Sequence, residues 1–403
     1  MMAVDTDVDE PLLTVRPQRK PFFLRHRFLR AFIPAAALAV IGFALLVPSY
    51  LLLPFEQLVT VDGVMGATAA FFKDDQVSEI LLHKHHMRVS ITIQGSLEAV
   101  RVDLDSVDFE FPSGQVGALL LGRRMEDESR ETFNQPKPFR SPIVLATYRE
   151  YAETLVMSQV ATPKPDQGDD PIYYDLDLSR FLMLFDEKKT WNDLGIRGRG
   201  GENSNLVLAS TTSPCKSNGA ATYLGMVACV RNPDGGAVSG MRQAESVAAA
   251  VRPFFTSSGL PTDNPEQYFD FLPADGFPPI IVLYEHQYLD HQLKHVAGTG
   301  TLDQERVLLY PTPTSVAETE FIPLTVDGDN LGRLITDDPE LRRRATELGF
   351  RLVDPIPGER TLPELLNENG VPVPVQTDAT VAALPRVRLL ETMIERVGGE
   401  GCS

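Results

Sequence analysis

Two clusters of polar side chains stand where apolar runs end in this sequence. In LVLASTTSPCKSNGAATYLGMVACVRN (206–232), Ser210, Thr211, Thr212 and Ser213, then Ser217 and Asn218, form a hydroxyl-rich turn between an expected strand and an expected helix. The first N–H groups of a helix lack intrahelical partners and face the positive end of its dipole, so such a turn suits anions and carboxylates. Plain capping of the helix by Ser213 or Ser217 explains the same residues, and this segment alone leaves both readings open. In FPPIIVLYEHQYLDHQ (277–292), a second apolar run ends in Tyr284, Glu285, His286 and Gln287. A tyrosine and an amide there can orient a ligand. Asp62, Glu285 and Asp263 either contact a cationic ligand or are simply solvated.

Other chemistries find less support. His291 and His295 stand at i, i+4, and HKHH holds His83, His85 and His86. Two imidazoles on one helix face can share a zinc ion, but neither cluster has a cysteine pair beside it and HEXXH is absent. A solvated helix face is the preferred reading, and neither a metal nor a cofactor is expected. No G-x-S-x-G elbow and no P-loop occurs, so an enzyme is not expected either.

The elements that must position these residues alternate between short apolar runs and helical patterns, as in a sheet layered by helices. Strands are expected at 58–63, 87–93, 107–112, 142–147, 205–211, 279–285 and 306–311. Several are nearly continuous apolar runs, suiting strands covered on both faces. Helices are expected at 69–86, 148–159, 217–231, 243–255 and 338–349. In the last, Asp338 caps the start, Pro339 occupies the first turn and Gly349 ends it.

Together with SPIVLATYREYAETLV (141–156), RVLLYPTPTSVAETEFIPLTVDG (306–328) and LITDDPELRRRATELGFRLVD (334–354), the two clusters resemble a type II bacterial extracellular solute-binding protein. More narrowly, the chain is similar to the membrane-anchored actinobacterial branch carrying a TTSPC-x-SN turn and a YE-x-Q strand end. The resemblance covers roughly 58 to 355 and rests on the ordered set of segments. It implies an α/β ectodomain of two lobes that close on a ligand. Lobe I is then 56–145 plus 281–395 and lobe II 146–280, with hinges near Ala146–Thr147 and Val282–Tyr284. The implied cleft residues are Thr211, Thr212, Ser213, Ser217, Asn218, Tyr284, Glu285, Gln287, Ser96, Ser113, Thr147 and Tyr148. Gly95–Ser96 and Ser113–Gly114 equally suit ordinary turns. Residues 361–398 fall outside the resemblance, and among them LPRVRLLETMIERV reads as a helix.

Residues 31–53 hold 23 positions without a charged side chain, enough to cross a bilayer as one helix. Arg16, Arg19, Lys20, Arg25, Arg27 and Arg30 precede the span, whereas Glu56 and Asp62 follow it. The positive-inside rule then leaves residues 1–30 as a cytoplasmic tail and puts the ectodomain outside. An uncleaved single-pass membrane anchor is preferred to a signal peptide, because no small-x-small site or lipobox cysteine follows. The formal net charge is −18, which opposes nucleic-acid binding. The expected partners are a small-molecule solute, the membrane, and a membrane permease or envelope protein. A tethered interaction or assembly protein using the same fold is the alternative. Three cysteines do not make a disulfide scaffold: Cys215 and Cys229 lie in a segment read as mostly helical, too far apart to bridge, and Cys402 lies in a Gly-rich tail.

Overall fold

The computed structural model describes residues 32–34, 36–38 and 58–402, apart from 96, 98–102, 131, 166, 197–204, 258–278 and 375–379. Residues 32–34 and 36–38 are helical, and the rest of the expected 31–53 span lies outside the described residues. Among the described residues, no helix is long and apolar enough to cross a membrane. Residues 58–403 form one compact unit.

Its strands are β1 (Val59–Met65), β2 (Met87–Ile93), β3 (Phe109–Phe111), β4 (Phe139–Tyr148), β5 (Ala161–Pro163), β6 (Tyr173–Asp177), β7 (Ile280–Tyr284), β8 (Arg306–Thr312), β9 (Val316–Glu318), β10 (Ile322–Pro323) and β11 (Arg351–Leu352). The helices are α1 (Ala69–Lys73), α2 (Asp75–His85), α3 (Gln115–Asp127), α4 (Arg149–Met157), α5 (Leu178–Asp186), α6 (Asn218–Arg231), α7 (Met241–Thr256), α8 (Glu285–Thr299), α9 (Val326–Asp337), α10 (Pro339–Glu347), α11 (Leu362–Glu368) and α12 (Val387–Gly398).

A smaller sheet has the order β10-β3-β1-β2, with β1 parallel to both β2 and β3. It encloses an aromatic core in which Phe109 stacks on Phe321 and Phe139 packs on Phe350, each pair with ring centroids 4.7 Å apart. A larger sheet runs β11-β4-β8-β6-β5, with β7 and β9 also paired to β4. Helices α4 to α7, α11 and α12 add side chains to its core.

The long strand β4 connects the two cores. Its first residues pair with β9 and β11, and Phe139 belongs to the aromatic core. From Ile143 onward it pairs with β7 and β8 and belongs to the larger core. The run between β8 and β9 lies along β4, where the Ile143 N–H donates to the Ser315 carbonyl at 2.9 Å. Val282 pairs with Leu145 inside the larger core. Strand β8 pairs with β6, and α12 shares a core with α7. The larger core therefore draws on residues both sides of 281.

Three local expectations need correction. The 69–86 helix is divided at Asp74, whose carboxylate accepts the Val77 N–H at 3.1 Å and so starts α2; a short acidic side chain competes with the helix for that donor. Residues 205–211 are buried in part but form only bridges: Ser210 donates to the Ile280 carbonyl at 2.8 Å and accepts from Val282 at 2.9 Å. Their apolar run reflects burial, not a ladder. Cys215 precedes α6 and is disulfide-bonded to Cys402, with a Cα–Cα distance of 5.1 Å, which ties the tail to the hydroxyl-rich turn. Cys229 is a free, partly buried thiol.

Candidate functional site

Helix α3 begins at Gly114, which has no side chain with which to cap it. The missing cap comes from another helix. The Oδ1 of Asn218, in the first turn of α6, accepts the Gly117 N–H at 3.0 Å, the position an N-cap side chain ordinarily serves. A Cβ on Gly114 would lie 2.3 Å from the Asn218 Nδ2, so glycine is what lets the two helix starts approach. The same Nδ2 donates to the Tyr284 hydroxyl at 3.1 Å, at the end of β7. Tyr284 also bonds Ser113, whose Oγ accepts the Thr68 N–H at 3.2 Å. Burial pushes the Tyr284 phenol well above its ordinary range, against the hydrogen bonds from Asn218 and Ser113, so it serves as a neutral hydroxyl.

The seam is closed. Thr68 and Asn218 have no exposure, and Ser113 and Tyr284 are buried. The Leu97 N–H donates to the Lys216 carbonyl at 2.9 Å, and a Cβ on Gly95 would meet that oxygen. Thr211, Thr212 and Ser213 are buried as well. The Ser213 Oγ accepts the Cys215 N–H at 3.3 Å, while the Thr212 Oγ1 has no hydrogen-bond partner among the described residues.

Of the residues singled out in the sequence, Ser113, Asn218 and Tyr284 are thus in one network, with Thr211 to Ser213 in the adjoining turn. Several of the others make hydrogen bonds elsewhere. Ser217 caps α6, accepting the Ala220 N–H at 3.3 Å. Gln287 accepts the Tyr284 N–H at 3.0 Å at the start of α8. Thr147 donates to the Pro279 carbonyl at 2.7 Å, and Tyr148 is the N-cap residue of α4. Glu285 is neither solvated nor free for a cation: it takes Arg351 Nε at 2.6 Å and the Tyr310 hydroxyl at 2.8 Å. Asp62 is exposed, and its backbone N–H bonds Asp108 at 2.8 Å. Ser96 and Asp263 lie outside the described residues.

Sequence reasoning missed Gly117, because a backbone donor is read only once the helix start is placed. It also missed Arg351, whose partner lies 66 positions away.

The paired sheets, with β4 passing between their cores, decide the fold. It is the type II periplasmic-binding-protein-like fold. Iron-bound HitA from Pseudomonas aeruginosa superposes with a TM-score of 0.50 at 12% identity, covering 84% of this chain and 99% of that one. AfuA, a periplasmic binding protein from Actinobacillus pleuropneumoniae with fructose-6-phosphate bound, gives 0.49 at 11%, covering 84% and 98%. The sulfate-binding protein SubI from Mycobacterium tuberculosis gives 0.44 at 14%, covering 85% and 97%. No protein-family model and no curated protein matches the chain. At these identities the likeness is one of fold, and the binding-protein fold by itself does not fix a function.

Proposed function

We propose that the chain is a solute-binding protein that captures a small polar or anionic solute in the seam between its two cores, without catalysis. The two cores act as the lobes, and β4 with the β8–β9 run acts as the hinge. The observation that carries this reading is Asn218. Its amide oxygen sits on an N–H at the start of α3 and its nitrogen on Tyr284, the contacts that a solute oxygen and hydroxyl would take over once the lobes part. The unpartnered Thr212 hydroxyl supports the same reading. Screening purified protein against oxyanions, sugars, amino acids and short peptides by thermal shift tests it. The absence of any stabilising solute contradicts it.

The second reading is a tethered interaction or assembly protein that keeps the fold without trapping a solute. The specific observation in its favour is the closed seam, in which Asn218, Ser113 and Tyr284 already satisfy one another.

We place the ectodomain outside the cytoplasmic membrane, on the anchor at 31–53, working with a permease or an envelope protein. Its support is the charge asymmetry about that span and the Cys215–Cys402 disulfide, since such bonds persist in oxidising compartments. Protease added to intact cells should degrade the ectodomain; full protection would reverse the topology.

A further inference from the structure

The paired histidines of α8 have a third neighbour that the sequence does not reveal. Helical spacing sets His291 and His295 on one face, with ring centroids 6.0 Å apart. The helix ends at Gly300 in the left-handed conformation, which turns the chain back along α8 and brings up Asp303. Reciprocal bonds lock that return: Gln292 Nε2 donates to the Asp303 carbonyl at 2.9 Å, and the Asp303 N–H donates to Gln292 Oε1 at 3.1 Å.

The Asp303 side chain is almost fully buried and held from outside. Its Oδ1 accepts the N–H groups of Glu305 at 3.0 Å and Arg306 at 3.2 Å. Its Oδ2 accepts from Arg306 at 2.6 Å and lies 2.8 Å from His291 Nε2. One ligand atom from each of His291, His295 and Asp303 falls within 4.8 Å of the others. Two ligands about 2.1 Å from a shared ion stand roughly 3 to 3.5 Å apart, so small side-chain rotations suffice. A cavity of about 630 Å³ opens beside the two imidazoles, with Asp290 and Gln287 also on its wall, and gives an ion a route in.

We propose that His291, His295 and Asp303 form a binding site for a divalent transition metal of the zinc class. His291 ligates through Nε2 as the neutral tautomer with its proton on Nδ1, in place of its present bond to the carboxylate. Arg306 and the two backbone N–H groups remain as outer partners that orient Asp303, the arrangement usual for a ligating carboxylate. Two imidazoles and one carboxylate leave a coordination position for water from the cavity. The site lies on α8 and the following loop, and does not depend on the solute reading.

The test is calorimetric titration of the full-length protein with Zn²⁺, alongside Co²⁺ absorption in the visible range. Saturable binding of one ion per chain is expected, weakened about tenfold or more in His295→Ala and in His291→Ala/His295→Ala, but unchanged in His83→Ala, which alters the other histidine cluster. His295→Gln, with a thermal melt of each variant, separates loss of a ligand from loss of the fold. No saturable Zn²⁺ binding, or binding that survives intact in the folded double variant, overturns the proposal.

Discussion

Asn218 and Tyr284 meet at 3.1 Å from the start of α6 and the end of β7, and through Asn218 the start of α3 is joined to both. The side chain that closes the seam is thus also the cap of a helix from the far side of it. Asn218→Ala should leave the Gly117 N–H and the Tyr284 hydroxyl short of partners and lower stability by about 1–3 kcal/mol. Asn218→Asp keeps the acceptor on α3 and adds an anion at its positive end. Its fully buried carboxylate would have no cationic partner among the described residues, so it should be less stable than the parent and lose affinity for anionic solutes. Chemical denaturation and solute titration of both variants check this; an Asp variant that binds anions normally would contradict it.

Glu110 on β3 is buried with neither carboxyl oxygen hydrogen-bonded among the described residues. Burial raises its pKa to about 8, only partly opposed by Arg124. The folded state therefore holds a proton that the unfolded chain releases near the ordinary carboxyl range. Stability is fullest below that range and falls as pH rises toward 8. Glu110→Gln should flatten this dependence, and a denaturation midpoint measured from pH 5 to 9 shows it directly.

The buried pair of Glu285 and Arg351 predicts a large asymmetry. Arg351→Met strands a carboxylate that is 1% exposed and should cost about 3–5 kcal/mol, whereas changing both residues to apolar ones of similar volume should restore most of that. Equilibrium unfolding of the single and double variants measures it. If Glu285→Gln instead leaves stability untouched and abolishes solute binding, Glu285 belongs to the site after all.

The Cys215–Cys402 bond closes a loop of 187 positions. Cys402→Ser should lower stability by about 2–5 kcal/mol, and reductant should do the same to the parent but not to the variant. Thermal melts with and without reductant decide it.

These groups mark what the sequence carries and what it does not. Period and capping signals are local, so β2 falls at the expected residues and α10 starts at Asp338, whose carboxylate accepts the Glu340 N–H at 2.8 Å. The hydroxyl-rich turn and Tyr284 were visible as types at run ends. Their partners were not, because Gly117, Arg351, Asp303 and Cys402 are brought up by tertiary packing. Residues 205–211 show the converse: an apolar run reports burial, and only the neighbouring chain decides whether it becomes a strand.

Whether the seam takes a solute is tested most directly at Thr212. Thr212→Val keeps the shape and removes a buried hydroxyl that has no partner among the described residues, so the solute-free variant should be as stable as the parent or slightly more so. Thermal melts of parent and variant are compared across oxyanions, sugars and amino acids. At least one solute should stabilise the parent, by about 2.7 kcal/mol at a hundred times its Kd, and stabilise the variant distinctly less. A panel in which no solute moves the parent, or in which parent and variant move alike, contradicts it.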